Sequence, residues 1–276
     1  MKKVLCLLLS CCLAFACLLP ALAEDAPHYV VLGDSIAQGS GVYNRGDAAY
    51  GRIVADTNGY TYVNYGVNGL RSWDLIELLG REDVAADVAR ADIISLSIGG
   101  NDYLQQNLPK IFAEVSQGNY KIVNDIQNNF RAYFAEIVDL LKTANPGVAL
   151  FVQTLYNPRF DALRDFYGLA TDRINAVITE YLAANPGAFY LVDTIPVMEG
   201  HPEYIAVDTV HPSAVGNEAL ARLVLQRLQE EGYGENTEPV INRRGIDEIP
   251  FSSYLLKALR DFFTRVIEII RSAFGR

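Results

Sequence analysis

Five stretches of the chain have the pattern of strands, and helical spacing fills most of the intervals between them. Residues 28–33 (His-Tyr-Val-Val-Leu-Gly) form an apolar run that stops at a glycine. Residues 61–65 alternate β-formers with polar positions, while 92–98, 148–152 and 189–193 are again apolar and of strand length. Helical periodicity covers 48–57, 72–79, 82–90, 103–143 with a break near Gly118, 161–184, and 213–231. Ser72 or Asp74 is placed to cap the second of these, and Asn185-Pro186-Gly187 stops the fifth. Residues 194–212 carry no regular pattern. Strands that alternate with helices at this spacing predict an α/β fold, a parallel sheet with helices on both faces. Right-handed crossovers then bring all the carboxyl ends of the strands to one edge, where ligands bind in open α/β sheets.

Three of those ends share a chemistry. The first strand runs into Gly33-Asp34-Ser35-Ile36, the second into Gly66-Val67-Asn68-Gly69, and the third into Gly99-Gly100-Asn101-Asp102. A serine on a strand end is a candidate nucleophile only if a base, a group that orients the base and an oxyanion site accompany it.

The chain termini depart from this pattern. Lys2 and Lys3 precede an apolar stretch that ends at Pro20, and Ala21-Leu22-Ala23 has the small-x-small form of a cleavage site, so 1–23 reads as a secretory signal peptide. An uncleaved anchor or a lipoprotein signal around Cys11 fits less well, the first because the stretch is short and the second because cleavage would fall too early. All four cysteines lie in this segment, which leaves the mature chain without a disulfide or a thiolate metal site. The chain of 276 residues is 50% hydrophobic and carries a net charge of −10. Residues 24–232 suffice for one domain around a single core, with an acidic body that argues against a nucleic-acid partner. Residues 233–250 read as a linker. Residues 251–276 repeat apolar positions at three- and four-residue steps with five basic and two acidic groups, an amphipathic helix suited to a membrane surface, to its own domain or to a second copy. Oligomeric state is left open.

The chain has three histidines. His28 opens the first strand, and a structural role is expected there. His201 has only Glu199 and Glu203 at a useful spacing. His211 stands in Asp208-Thr209-Val210-His211-Pro212, where an aspartate three residues earlier can reach the imidazole Nδ1–H if the loop turns back, fixing the tautomer and stabilising the imidazolium formed during attack. The oxyanion needs waiting donors: the Ser35 N–H, the Gly66 N–H and the Asn101 side-chain amide are the candidates.

These four blocks, in this order, resemble the SGNH/GDSL hydrolase superfamily of esterases and lipases over about residues 28–232, with Ile36 in place of the leucine of the name motif. The resemblance implies a flavodoxin-like three-layer sandwich with five parallel strands in the order 2-1-3-4-5. It also implies that Ser35 is the nucleophile, His211 the base, Asp208 its orienting carboxylate, and Ser35, Gly66 and Asn101 the oxyanion hole. No metal or cofactor is implied; Asp34 and Asp102 are expected to brace their loops. The function that follows is a secreted or cell-surface serine esterase cleaving carboxylic esters of small molecules, lipids or polysaccharides through an acyl-enzyme. The alternatives are a carbohydrate O-deacetylase with the same site and, in another class, a binding module on the same fold. Tyr43, Tyr50, Trp73, Tyr103, Tyr156 and Phe160 are candidates for lining the substrate site, with core packing the default for most.

Overall fold

The computed structural model describes residues 26–242 together with Leu255 and Leu259. The leader, most of the linker and, but for these two leucines, the C-terminal helix read from the sequence lie outside the described residues. Among the described residues no helix is long and apolar enough to cross a membrane.

The sheet has five strands, all parallel: β1 (His28–Gly33), β2 (Thr61–Gly66), β3 (Ile93–Ser97), β4 (Ala149–Gln153) and β5 (Tyr190–Val192). Their order is β2-β1-β3-β4-β5, as the family resemblance implies. Tyr29 to Leu32 are fully buried, the state that a near-continuous apolar run in a parallel strand requires. The side chains then divide by parity. Val30, Leu32, Ile94, Leu96, Leu150 and Val152 pack under helices 72–79, 82–90, 121–144 and 164–184. Tyr29, Val31, Ile93, Ala149, Phe151 and Val192 pack under helices 50–58 and 214–230. Each strand thus serves two cores, and the protein is a three-layer sandwich.

The register puts the reactive ends side by side, because Gly33 pairs with both Gly66 and Ser97. The segments 34–41, 66–70 and 98–104 therefore leave the sheet at one level. The helical region divides into Leu108–Ser116 and Lys121–Ala144 around Gly118, as the sequence reading expects. Two local details differ from that reading. A short helix begins at Gly100, so Asn101 lies in its first turn. At the start of Ser72–Leu79, Asp74 accepts the Arg71 N–H at 3.0 Å, whereas the Ser72 side chain turns to Asp102 instead of capping the helix.

Candidate active site

Ser35 opens the four-residue helix that follows β1. Asp34 caps that helix by accepting the Ile36 N–H at 2.9 Å, and its own N–H donates to the Ser97 carbonyl at 3.0 Å. The serine is thereby presented on a sharp, doubly tethered turn. It is 7% exposed and lines a pocket shared with Asn101, Tyr103, Tyr156, Tyr167 and Val210.

His211 and Asp208 form the pair that their spacing predicts. Nδ1 of His211 lies 2.6 Å from Asp208 Oδ2, while Asp208 Oδ1 accepts the backbone N–H groups of Val210 and His211, both at 3.0 Å. Burial works against the Asp208 charge, but the His211 imidazole and these two N–H groups outweigh it and hold the carboxyl below its ordinary pKa. The turn between the two residues is strained: Thr209 sits at φ 64°, the left-handed region that a β-branched residue rarely adopts. Several bonds hold it there. The Arg159 guanidinium donates to Thr209 Oγ1, Tyr156 donates its hydroxyl to the Val210 carbonyl at 3.1 Å, and the Ala206 N–H donates to the His211 carbonyl at 2.8 Å.

The loop after Ser35 folds against the same histidine. Ser40 N–H donates to the Ser35 carbonyl at 2.9 Å, and Gly41 packs on His211 and Pro212. The structure thus brings the Ser35 turn and the Asp208/His211 loop together from distant parts of the sequence. The other two histidines have partners elsewhere. His28 lies 3.4 Å from Asp87 at the far end of β1, and His201 stacks on Tyr204 with its Nδ1 2.9 Å from Glu203.

Asn101 is buried. Its Nδ2 donates one hydrogen to the Leu70 carbonyl at 3.1 Å, and the second hydrogen has no partner among the described residues. The neighbouring Asp102 bridges to Ser72, accepting its N–H at 3.1 Å and its hydroxyl, so the helix carrying Asn101 is tied to the start of Ser72–Leu79. Gly66 is a correction. Its N–H already donates to Asn64 Oδ1 at 2.7 Å, which withdraws it from the role expected of it. The glycine is needed there for space instead, since a Cβ on Gly66 would stand 2.6 Å from the Ala37 carbonyl carbon. In the same turn the N–H of Gly69 has no partner among the described residues, and neither has that of Ser35. The turn is anchored by Val67 N–H to the Gly33 carbonyl at 3.0 Å on one side and by Leu70 to Asn101 on the other, which sets Gly69 over the strand ends. Asn64, two residues ahead of Gly66, is the asparagine-turn signal that could have warned of this.

Of the aromatic candidates, Tyr103 and Tyr156 line the pocket, Tyr50 is buried in the core, and Tyr43, Trp73 and Phe160 are exposed. Asp34 is buried beneath the serine, and burial pushes its carboxyl up to about 7 against the pull of the Ile36 N–H and His211. Burial likewise raises Asp102, which the Ser72 bonds oppose.

The model of the GDSL-like lipase/acylhydrolase family matches residues 31–219. The chain belongs to that family. It is therefore an ester-hydrolysing enzyme, the class that its four blocks imply. The family match spans every residue of the constellation, from Ser35 through Gly69 and Asn101 to His211. Among curated proteins, the spore germination lipase LipC of Bacillus licheniformis is 24% identical over 222 residues, covering 75% of this chain and 97% of its own. The uncharacterized protein YpmR of Bacillus subtilis is 26% identical over 221 residues, 74% of this chain and 83% of its own. Among solved structures, a lipase from a goat rumen metagenome superposes with a TM-score of 0.61 at 21% identity, covering 76% of this chain and 99% of that one. An acetylxylan esterase from Geobacillus stearothermophilus superposes with a TM-score of 0.53 at 20% identity over 75% and 96% of the two chains. These structural likenesses establish the GDSL-type sandwich as the fold.

Proposed function

We propose that this GDSL-family enzyme is a serine esterase that works through an acyl-enzyme on Ser35. The observation that carries the reading is the 2.6 Å contact between His211 and an Asp208 whose other oxygen is saturated by backbone N–H groups. A carboxylate held in that way fixes the Nδ1–H tautomer and leaves Nε2 free as a base. His211 takes the Ser35 hydroxyl proton as Oγ attacks the ester carbonyl carbon. The tetrahedral oxyanion is met by the N–H groups of Ser35 and Gly69 and by the Asn101 amide. Collapse expels the alcohol with the proton from His211 and leaves an ester on Ser35. Water, deprotonated by His211, then attacks that ester; the acid departs and the serine recovers its proton.

The enzyme acts outside the cytoplasm in this reading, which rests on Lys2-Lys3, the apolar run and Ala21-Leu22-Ala23. The basic amphipathic pattern of 251–276 supports contact with a membrane surface.

The deciding experiment is Ser35→Ala assayed on a p-nitrophenyl ester, with a fluorophosphonate probe on both proteins. Turnover and labelling should both vanish. Full turnover by the variant would overturn the assignment.

A further inference from the structure

The pocket beside Ser35 continues away from the sheet. Its outer wall is Tyr103, Leu104, Tyr167 and Ala170, and the same four residues form the near wall of a second cavity. That cavity is completed by Leu108 and Ile111 of helix Leu108–Ser116, by Val123, and by Phe166 and Leu169 of helix Arg164–Ala184. The two spaces thus adjoin across these four residues, with Ser35 lining the first and helix Leu108–Ser116 lining the second.

Their chemistry changes along this line. The polar lining of the first pocket comes mainly from the strand ends: Asp34, Ser35, Asn101, Gln153 and Thr154. On the helical wall, the Thr171 hydroxyl is already donated to the Gly168 carbonyl at 3.1 Å. Every side chain of the second cavity is aliphatic or aromatic, with no charge and no amide. Its Tyr103 hydroxyl is committed to the Val123 carbonyl at 3.1 Å. The Tyr167 phenol is the one side-chain hydroxyl of this lining without a bond among the described residues, so a sugar ring entering such a space would exchange most of its bonds to water for a single partner, which is costly. An alkyl chain would lose nothing and gain from leaving water.

We infer that the substrate's acyl chain runs from Ser35 between Tyr103 and Tyr167 into this second cavity, so that the enzyme takes esters of medium- and long-chain fatty acids. The inference rests on the assignment of Ser35 as the acylated residue. Leu104 and Ala170 set the width of the passage, and Leu108 and Ile111 set its depth.

The test is a series of p-nitrophenyl esters from acetyl to dodecanoyl. Each methylene fully withdrawn from water is worth about fourfold (~0.8 kcal/mol) in kcat/KM, so octanoyl should exceed acetyl by on the order of a hundredfold after allowance for partial burial. Ala170→Phe narrows the passage and Leu108→Trp fills the cavity from its half-exposed rim; each should lower the octanoyl-to-acetyl ratio of kcat/KM at least tenfold. Acetyl as the best substrate of the unmodified enzyme would overturn the inference, as would a wild-type ratio in both folded variants. The unmodified chain-length profile decides the matter even if Ala170→Phe fails to fold. Ser35→Ala assayed on both esters separates the two claims: loss of both activities keeps the serine assignment whatever the chain preference, whereas retained turnover removes that assignment itself.

Discussion

Gly41 and His211 are packed so tightly that the glycine has no room for a side chain. A Cβ at Gly41 would stand 2.9 Å from His211 Cβ and overlap the Pro212 carbonyl oxygen, and the residue also sits at φ +103°. The loop that follows Ser35 is thus the surface on which the proposed base is seated. Gly41→Ala should push His211 out of line, lowering kcat/KM by about a hundredfold, the scale of a misplacement near 1 Å. Gly59→Ala is the control, because Gly59 is left-handed too but has open space around it. Kinetics and thermal unfolding of both variants check this: both should lose stability, Gly41→Ala the more because the clash adds to the strain, and an activity loss is expected only at Gly41. Equal activity losses would reduce the effect to backbone strain.

Asp208→Asn keeps the shape of the pair and removes its charge. The amide can present its N–H to Nδ1, which favours the wrong tautomer, so kcat should fall by about 10³–10⁴ with KM little changed. The same carboxylate contributes to stability. Its folded pKa lies below its unfolded value, so the contribution is present above the unfolded value of about 4 and is lost as pH falls through the folded one. Acid unfolding of the wild type should therefore show a component below about pH 4 that the asparagine variant lacks.

Asp34 has the opposite sign. Burial raises its folded pKa to about 7, so the folded state holds a proton that the unfolded chain releases near pH 4. Its contribution is fully present below pH 4 and is lost as pH rises through about 7. Asp34→Asn retains the acceptor for the Ile36 N–H but cannot ionise. Melting temperature measured from pH 5 to 8 should fall more steeply for the wild type than for this variant. Parallel curves would show that Asp34 does not titrate in this range.

Asn101→Ala removes a proposed oxyanion donor and should lower kcat by about 10²–10³ while leaving KM near its original value. A rise in KM at unchanged kcat would assign the amide to ground-state binding instead. Pre-steady-state measurement of the acylation burst identifies the affected step.

Much of the fold could be read from the residues because parallel strands covered on both faces leave an unmistakable apolar run, as Tyr29–Leu32 does. Ser35, Asn101, Asp208 and His211 stood out as candidates because each sits on a strand end or in a short loop whose spacing has a chemical meaning, and the Asp208–His211 contact was legible from that spacing. Gly66 was misread for a physical reason: spacing shows that an N–H is present but not that Asn64 Oδ1 has already taken it. Ser72 looked like a helix cap, yet its hydroxyl serves Asp102, 30 residues away. The helix start at Gly100 was hidden because paired glycines read as a turn. The walls of the pocket beside Ser35 depend on which faces of helices Gly100–Leu104 and Arg164–Ala184 oppose one another, and that is settled only by packing.

The brace from Ser72 to Asp102, beside the bond from Asn101 to Leu70, has a thermodynamic consequence. Both are complete before any ester arrives. The Asn101 dipole proposed to meet the developing negative charge is therefore oriented when the chain folds, and little solvent-like relaxation would be left to accompany each turnover. The dipole's orientation is part of the energy of the fold, so a substitution at Ser72, far from the reacting bond in sequence, should slow the chemistry by loosening that alignment.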